Sequence, residues 1–168
     1  MIKRNLYIDK LTKFIGKPQV KIISGIRRSG KSTVLRLLME ELSQRGVKQN
    51  QIIYLNFESF ANSHLTQAKS LYEEVKQIIS GTEKYYLLFD EIQEVENWEK
   101  AVNSFLVDFD VDIYLTGSNS HLLSSELSTF LAGRYVEFPI YTLSFSEFLV
   151  FKKSYSEIGS NQLALFVE

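Results

Sequence analysis

The octapeptide Gly25-Ile26-Arg27-Arg28-Ser29-Gly30-Lys31-Ser32 constrains the fold of this chain more than any other stretch, because it matches the phosphate-binding loop pattern G-x-x-x-x-G-K-[ST] in full. Gly25 and Gly30 let the backbone curl until successive N–H groups converge on an anion. Lys31 has the reach to meet the β- and γ-phosphates of a nucleotide, and the Ser32 hydroxyl suits one Mg²⁺ position. The flanks supply the context the pattern needs. Val20-Lys21-Ile22-Ile23-Ser24 reads as a strand, and Thr33 to Leu42 as a helix whose positive amino end faces the phosphates. Strand, glycine loop and helix predict a nucleoside triphosphate site built from residues 25–33, with Ile26, Arg27, Arg28 and Ser29 in its curl and Thr33 at its rim.

The rest of the chain alternates strand and helix patterns without repeats or low-complexity tracts. An amphipathic helix is expected over Tyr7 to Phe14, ending near Gly16 and Pro18. Gln51 to Phe57 reads as a second strand, followed by a helix with Leu71, Val75, Ile78 and Ile79 on one face. Tyr85 to Phe89 makes a third strand. Trp98, Ala101, Val102, Phe105 and Leu106 repeat the helical spacing, Val111 to Leu115 is a fourth strand, and Tyr135 to Phe138 a shorter fifth. Apolar strands separated by helices predict a three-layer α/β fold with a mainly parallel five-stranded sheet covered on both faces. Ligands of such sheets sit at the carboxyl ends of the strands, where the glycine loop lies.

Two further strand ends carry chemistry. Leu87-Leu88-Phe89-Asp90-Glu91 is a buried strand ending in two acids. Asp90 suits a Mg²⁺ ion held through water, since that ion dehydrates reluctantly. Glu91 suits a group that orients and polarises a water in line with the γ-phosphate. The neighbouring Glu94, Glu96 and Glu99 read as a solvated helix face. The strand Asp112 to Leu115 runs into Thr116-Gly117-Ser118-Asn119, ahead of a short helical pattern with Leu122, Leu123 and Leu127. Thr116, Ser118 or Asn119 could bond the attacking water or the γ-phosphate, or equally cap the helix that follows.

Composition sets outer bounds. At 168 residues and 45% hydrophobic, the chain suits one domain with a sizeable core. Nineteen basic and twenty acidic side chains give a net charge of −1, so no global field draws it to nucleic acid or anionic membrane. With no cysteine, disulfides and thiolate metal sites are excluded. His64 and His121 lack ligand-like spacing, and no zinc site is expected. The amino end has no signal-peptide pattern, and the longest apolar run, Tyr85 to Phe89, cannot span a bilayer. A cytoplasmic protein is expected.

Taken together, Gly-Ile-Arg-Arg-Ser-Gly-Lys-Ser, Leu88-Phe89-Asp90-Glu91-Ile92-Gln93, Trp98-Glu99, Leu115-Thr116-Gly117-Ser118-Asn119-Ser120, Leu131-Ala132-Gly133-Arg134-Tyr135 and Leu143-Ser144-Phe145-Ser146-Glu147-Phe148 resemble the AAA-type (AAA+ superfamily) ATPase domain of a prokaryotic family. The motifs run in the family's order across about residues 4–150. The resemblance implies that the strand ending at Thr116 lies between the glycine-loop strand and the Asp90 strand. It implies Lys31 and Ser32 on ATP and Mg²⁺, Asp90 and Glu91 as the hydrolytic acids, and a sensor such as Asn119 in the stretch after Thr116. Arg27 and Arg28 match paired arginines of the family's loop. Arg134 could project at the γ-phosphate of a neighbouring subunit in a homo-oligomer, where an arginine supplied in trans adds ~10³–10⁵ in rate. Its plainer role is a surface residue paired with local acids.

Family members look longer, with a helical lid and a carboxyl-terminal domain that would select partners. An ATPase core over 1–150 and the start of a truncated lid or linker over 151–168 are therefore expected, with a helix started by the Ser144-x-x-Glu147 capping box near the end of the core. The activity this predicts is hydrolysis of Mg²⁺-ATP to ADP and phosphate. Two alternatives share the loop: a nucleotide-binding switch with little turnover, and a small phosphotransferase. A GTP switch lacks the guanine-reading Asn/Thr-Lys-x-Asp stretch it would require.

Overall fold

The computed structural model describes residues 4–117, 131, 133–145 and 147–153. Five strands, β1 (Val20–Ser24), β2 (Ile52–Asn56), β3 (Tyr85–Asp90), β4 (Val111–Gly117) and β5 (Tyr135–Pro139), form one sheet in the order β2-β3-β4-β1-β5. Every pairing is parallel, with Ile22 opposite Leu115 and Glu137, and Leu88 opposite Tyr54 and Tyr114. The strand that ends near Thr116 thus lies between the glycine-loop strand and the Asp90 strand, as the resemblance implies.

Parallel strands need crossover connections, and these lay helices on both faces. The helices are α1 (Asn5–Thr12), α2 (Lys31–Gln44), α3 (Ala68–Ile78) and α4 (Trp98–Asp108). Side chains alternate across the sheet, so each strand feeds two cores. Val20 and Ile22, Leu87 and Phe89, and Ile113 and Leu115 pack with Leu71 and Val75 of α3 and with Trp98, Val102 and Phe105 of α4. Ile23, Leu88 and Tyr114 face the other way, onto Tyr7, Ile8 and Leu11 of α1 and Val34, Leu35, Leu38 and Leu42 of α2. Complete burial of each such side chain contributes about 1.5–3 kcal/mol.

Three local expectations are corrected. Helix α1 begins two residues early and stops at Thr12, yet Phe14 still packs edge-on against Phe138 at 5.2 Å. Helix α3 ends at Ile78, which is exposed; the chain turns extended at Ile79, and that residue reaches the core instead. Glu96 lies on no helix. Its N–H donates to the Thr66 carbonyl, and its own carbonyl accepts the Ala68 N–H at the start of α3. The Ser144/Glu147 capping box forms as read, with Ser144 N–H on Glu147 Oε2 at 2.9 Å and Glu147 N–H on Ser144 Oγ at 3.2 Å. It precedes the helical residues 147–153. The helical pattern of Leu122, Leu123 and Leu127 lies outside the described residues.

One charged pair is sealed inside the second core. Lys21 Nζ lies 2.5 Å from Asp112 Oδ1, and both residues are buried. Both partners make further bonds: Lys21 also donates to the Lys17 carbonyl, and Asp112 Oδ2 accepts the Gly16 N–H at 2.6 Å and the Tyr114 hydroxyl at 3.1 Å. The pair therefore anchors the turn before β1 at the amino end of the sheet. Burial lowers the Lys21 pKa, and the adjacent Asp112 carboxylate opposes that shift. Removing one partner strands the other charge, so Asp112→Ala is expected to destabilise the fold by about 3–5 kcal/mol. Lys21→Met with Asp112→Leu should recover most of that loss; urea unfolding of the three proteins checks both values.

Candidate functional site

The glycine loop joins β1 to α2 at the carboxyl end of the sheet. Gly25 has φ +153°, and a Cβ there would lie 2.3 Å from the Ile140 carbonyl oxygen and 2.7 Å from Ser29 Oγ. No side chain fits, because the exit of β5 is docked on the loop by an Ile140 N–H bond to the Ser24 carbonyl at 2.7 Å. Gly30, at φ +98°, is the N-cap of α2. Arg28 also carries a positive φ of +65°, which costs a non-glycine residue energy and marks a tightly wound turn.

The side chains of this loop divide sharply. Ile26 is 62% exposed, and Arg27 and Arg28 are exposed as well. Arg27 comes only within 3.8 Å of Glu58, a solvated contact of little energetic weight. Ser29 and Lys31, by contrast, are each only 4% exposed. Ser29 Oγ is buried with no hydrogen-bond partner among the described residues, a vacancy a native core rarely tolerates. An orphan hydroxyl, a buried lysine and the amino end of a 14-residue helix together fit a phosphate group. Thr33 is half-buried in the first turn of α2.

Asp90 ends β3 with no exposed surface. Its Oδ1 accepts the Ser32 hydroxyl at 3.0 Å and the Thr116 hydroxyl at 2.5 Å. Its Oδ2 accepts the Tyr54 phenol at 3.0 Å and, at 3.5 Å, the Asn56 amide. Burial first, and the Asp90 charge second, push the Tyr54 phenol above its ordinary pKa, so it remains a donor. The period-two alternation explains the cluster: Tyr54 and Asn56 of β2, Asp90 of β3 and Thr116 of β4 share the sheet face that α2 covers. A carboxylate ringed by hydroxyls next to the loop serine is a donor set suited to a hydrated Mg²⁺ ion.

Glu91 follows in the left-handed region, at φ +56°, and its N–H donates to Thr116 Oγ1 at 2.9 Å. This turn carries its carboxylate out of the sheet and over the loop. Oε1 lies 3.2 Å from Lys31 Nζ, and Oε2 accepts Gln93 Nε2 at 2.8 Å. Lys31, Ser32, Asp90 and Glu91, named from two separate motifs, are thus brought together.

Arg134 is not part of this cluster. It is exposed at the amino end of β5, opposite the glycine loop of its own chain, and its carbonyl accepts the Val20 N–H at 2.8 Å. Asn119 and Ser118 lie outside the described residues. Thr116 is committed through its hydroxyl to Asp90 and Glu91. Tyr54 and Asn56 escaped sequence reasoning, although counting by twos along β2 with the parallel register would have placed them beside Asp90. Among the described residues no group of three or more His, Asp or Glu could hold a metal by itself, and no helix is long and apolar enough to cross a membrane. Replacing the Thr116 hydroxyl leaves the Glu91 N–H without its acceptor and Asp90 short of a donor. Thr116→Val should therefore cost about 1–3 kcal/mol of stability despite its matching shape, measured by denaturant unfolding.

Known proteins are similar to this chain in sequence and in fold. A family model described as an AAA domain matches residues 17–149. An uncharacterized protein of Haemophilus influenzae is 48% identical over 150 residues, covering 89% of this chain and 38% of that protein. An uncharacterized protein of Methanocaldococcus jannaschii is 35% identical over 182 residues, covering 99% and 39%. The chain therefore spans about two fifths of the length of these relatives. Among solved structures, a DNA polymerase III gamma subunit-related protein of Thermotoga maritima superposes with a TM-score of 0.58 at 15% identity, covering 82% of this chain and 47% of that one. AMPPCP-bound DnaA of Aquifex aeolicus superposes with a TM-score of 0.56 at 19% identity, covering 89% and 49%. At such identities the two structures attest to the fold.

Proposed function

Because the chain belongs to the AAA domain family, we propose that it binds ATP with Mg²⁺ and hydrolyses it to ADP and phosphate, as the motor or switch domain of a longer protein. The observation that supports this best is the convergence of Ser32, Asp90, Lys31 and Glu91 at the mouth of the glycine loop. Backbone N–H groups of 26–31 and the buried Ser29 hydroxyl would receive the phosphates, with Thr33 at the edge. Ser32 and Asp90 would hold Mg²⁺, which when bound offsets charge on the phosphate oxygens.

Lys31 and Glu91 neutralise each other before nucleotide arrives. Phosphate oxygens compete for the lysine, and once it turns to them the Glu91 carboxylate is released. Glu91 is then available to orient a water and accept its proton as the oxygen attacks phosphorus. Tyr54 and Thr116 hold Asp90 fixed while this happens. Asn119 is assigned the sensing of the γ-phosphate. Arg134, turned away from its own loop, would serve a neighbouring copy, so a homo-oligomer is the active form. The core spans 1–150, and 151–168 leads toward the part that selects partners.

The same ion pair favours a second reading. A lysine and a water-activating acid engaged with each other describe a resting state, so the chain could act as a switch with little basal turnover. Phosphate release from Mg²⁺-ATP, followed against protein concentration, separates the two: turnover per subunit should rise with concentration. Lys31→Ala should weaken ATP binding tenfold or more, whereas Glu91→Gln should keep the affinity and lose turnover by about a hundredfold or more. Loss of both in Glu91→Gln would assign that acid a structural role. Arg134→Ala should be inactive alone and regain activity when mixed with Glu91→Gln; normal hydrolysis by the single variant would exclude the trans role.

A further inference from the structure

Arg4 is 3% exposed, an extreme position for a cation, and its guanidinium joins three parts of the chain. Nη1 donates to the Ser29 carbonyl of the glycine loop at 2.7 Å. Nη2 donates to the Tyr141 carbonyl just after β5 at 2.9 Å. Nε donates to Glu147 Oε1 at 3.0 Å, in the helical stretch that the capping box opens. The plane lies 4.5 Å over the Tyr7 ring. It also fills the space behind Gly30, where a Cβ would stand 3.2 Å from Nη1. Its hydrogen bond to Glu147 holds that carboxyl below the ordinary range, so the pair stays ionised at neutral pH.

We propose that Arg4 is a positioning residue for the glycine loop and that, through Glu147, it couples occupancy of the loop to seating of helical residues 147–153. The fork of the guanidinium makes this possible. Its Nη1 arm sets the direction of the Ser29–Gly30 peptide, whose N–H belongs to the phosphate-receiving set, while its Nε edge is fixed by Glu147. A ligand that orders the loop therefore tightens the helical segment, and displacement of that segment loosens the loop. Linkage makes the two effects equal.

The inference rests on the reading of the loop as a nucleotide site, and its test separates the two. ATP titrations with Mg²⁺ would compare the wild-type chain, Arg4→Gln, Glu147→Gln and the double variant, alongside amide exchange over 25–33 without ligand. Glu147 makes no bond to the loop, and its partly exposed position lets the glutamine variant fold. Glu147→Gln should nevertheless weaken ATP binding about five- to tenfold and speed exchange at Ser29 to Ser32, with the double variant no worse than Arg4→Gln. A lower melting temperature with wild-type affinity and wild-type exchange would reduce the contact to scaffolding and overturn the coupling. So would effects of the two substitutions that simply add. If wild-type protein bound no ATP, the nucleotide reading would fail, and the exchange comparison would still decide whether Glu147 acts on the loop.

Discussion

A carboxylate removed wholly from water is costly unless hydrogen-bond donors meet it, and Asp90 is the group around which this end of the sheet is arranged. Three hydroxyls and an amide, from α2, β2 and β4, converge on its two oxygens. They come from three separate segments, two of them from β2, so the carboxylate is held only when the strands are in register and α2 is seated. The metal-side chemistry and the integrity of the fold are in this sense one requirement. Glu91 inherits its position from the same cluster, because the Thr116 hydroxyl that donates to Asp90 also receives the Glu91 N–H.

The opposite end of the sheet solves a different problem. There Lys21 and Asp112 form a buried ion pair whose charged atoms also bond the Lys17 carbonyl, the Gly16 N–H and the Tyr114 hydroxyl. At the carboxyl end, Ser29 Oγ is left over, and Lys31 is engaged by Glu91 at 3.2 Å and, at 3.5 Å, by the Ile26 carbonyl of the loop itself. One end is paired off inside the core and the other is poised. That asymmetry distinguishes a structural charged pair from a reactive one, even though both join a lysine to a carboxylate.

Much of this was legible in the sequence because it depends on short-range rules. The glycine loop, the apolar strands and the acid pair after β3 are each set by neighbours within a few residues, and all five strands fall where the patterns put them to within two residues. What sequence could not show were partners fixed by register and by long loops. Tyr54 reads simply as a strand aromatic until β2 is aligned on β3. Nothing local to Arg4 reveals that Ser29, Tyr141 and Glu147 will meet around it. Ile78 and Ile79 show the limit of periodicity: a helical wheel makes both inward, but the helix ends between them and only the second is turned to the core.

The contact at Gly25 has a bearing on the order in which the molecule can form. Strand β1, the loop and α2 are contiguous and could in principle assemble by themselves, yet the loop's base is shaped by the Ile140 backbone, far downstream in the chain. Closing that long a loop is slow compared with local helix and turn formation. During synthesis, a ribosome would have released the whole phosphate-binding motif well before the segment that gives it its final shape. The signature that is earliest to read in the sequence therefore belongs to a site that is among the last to be finished.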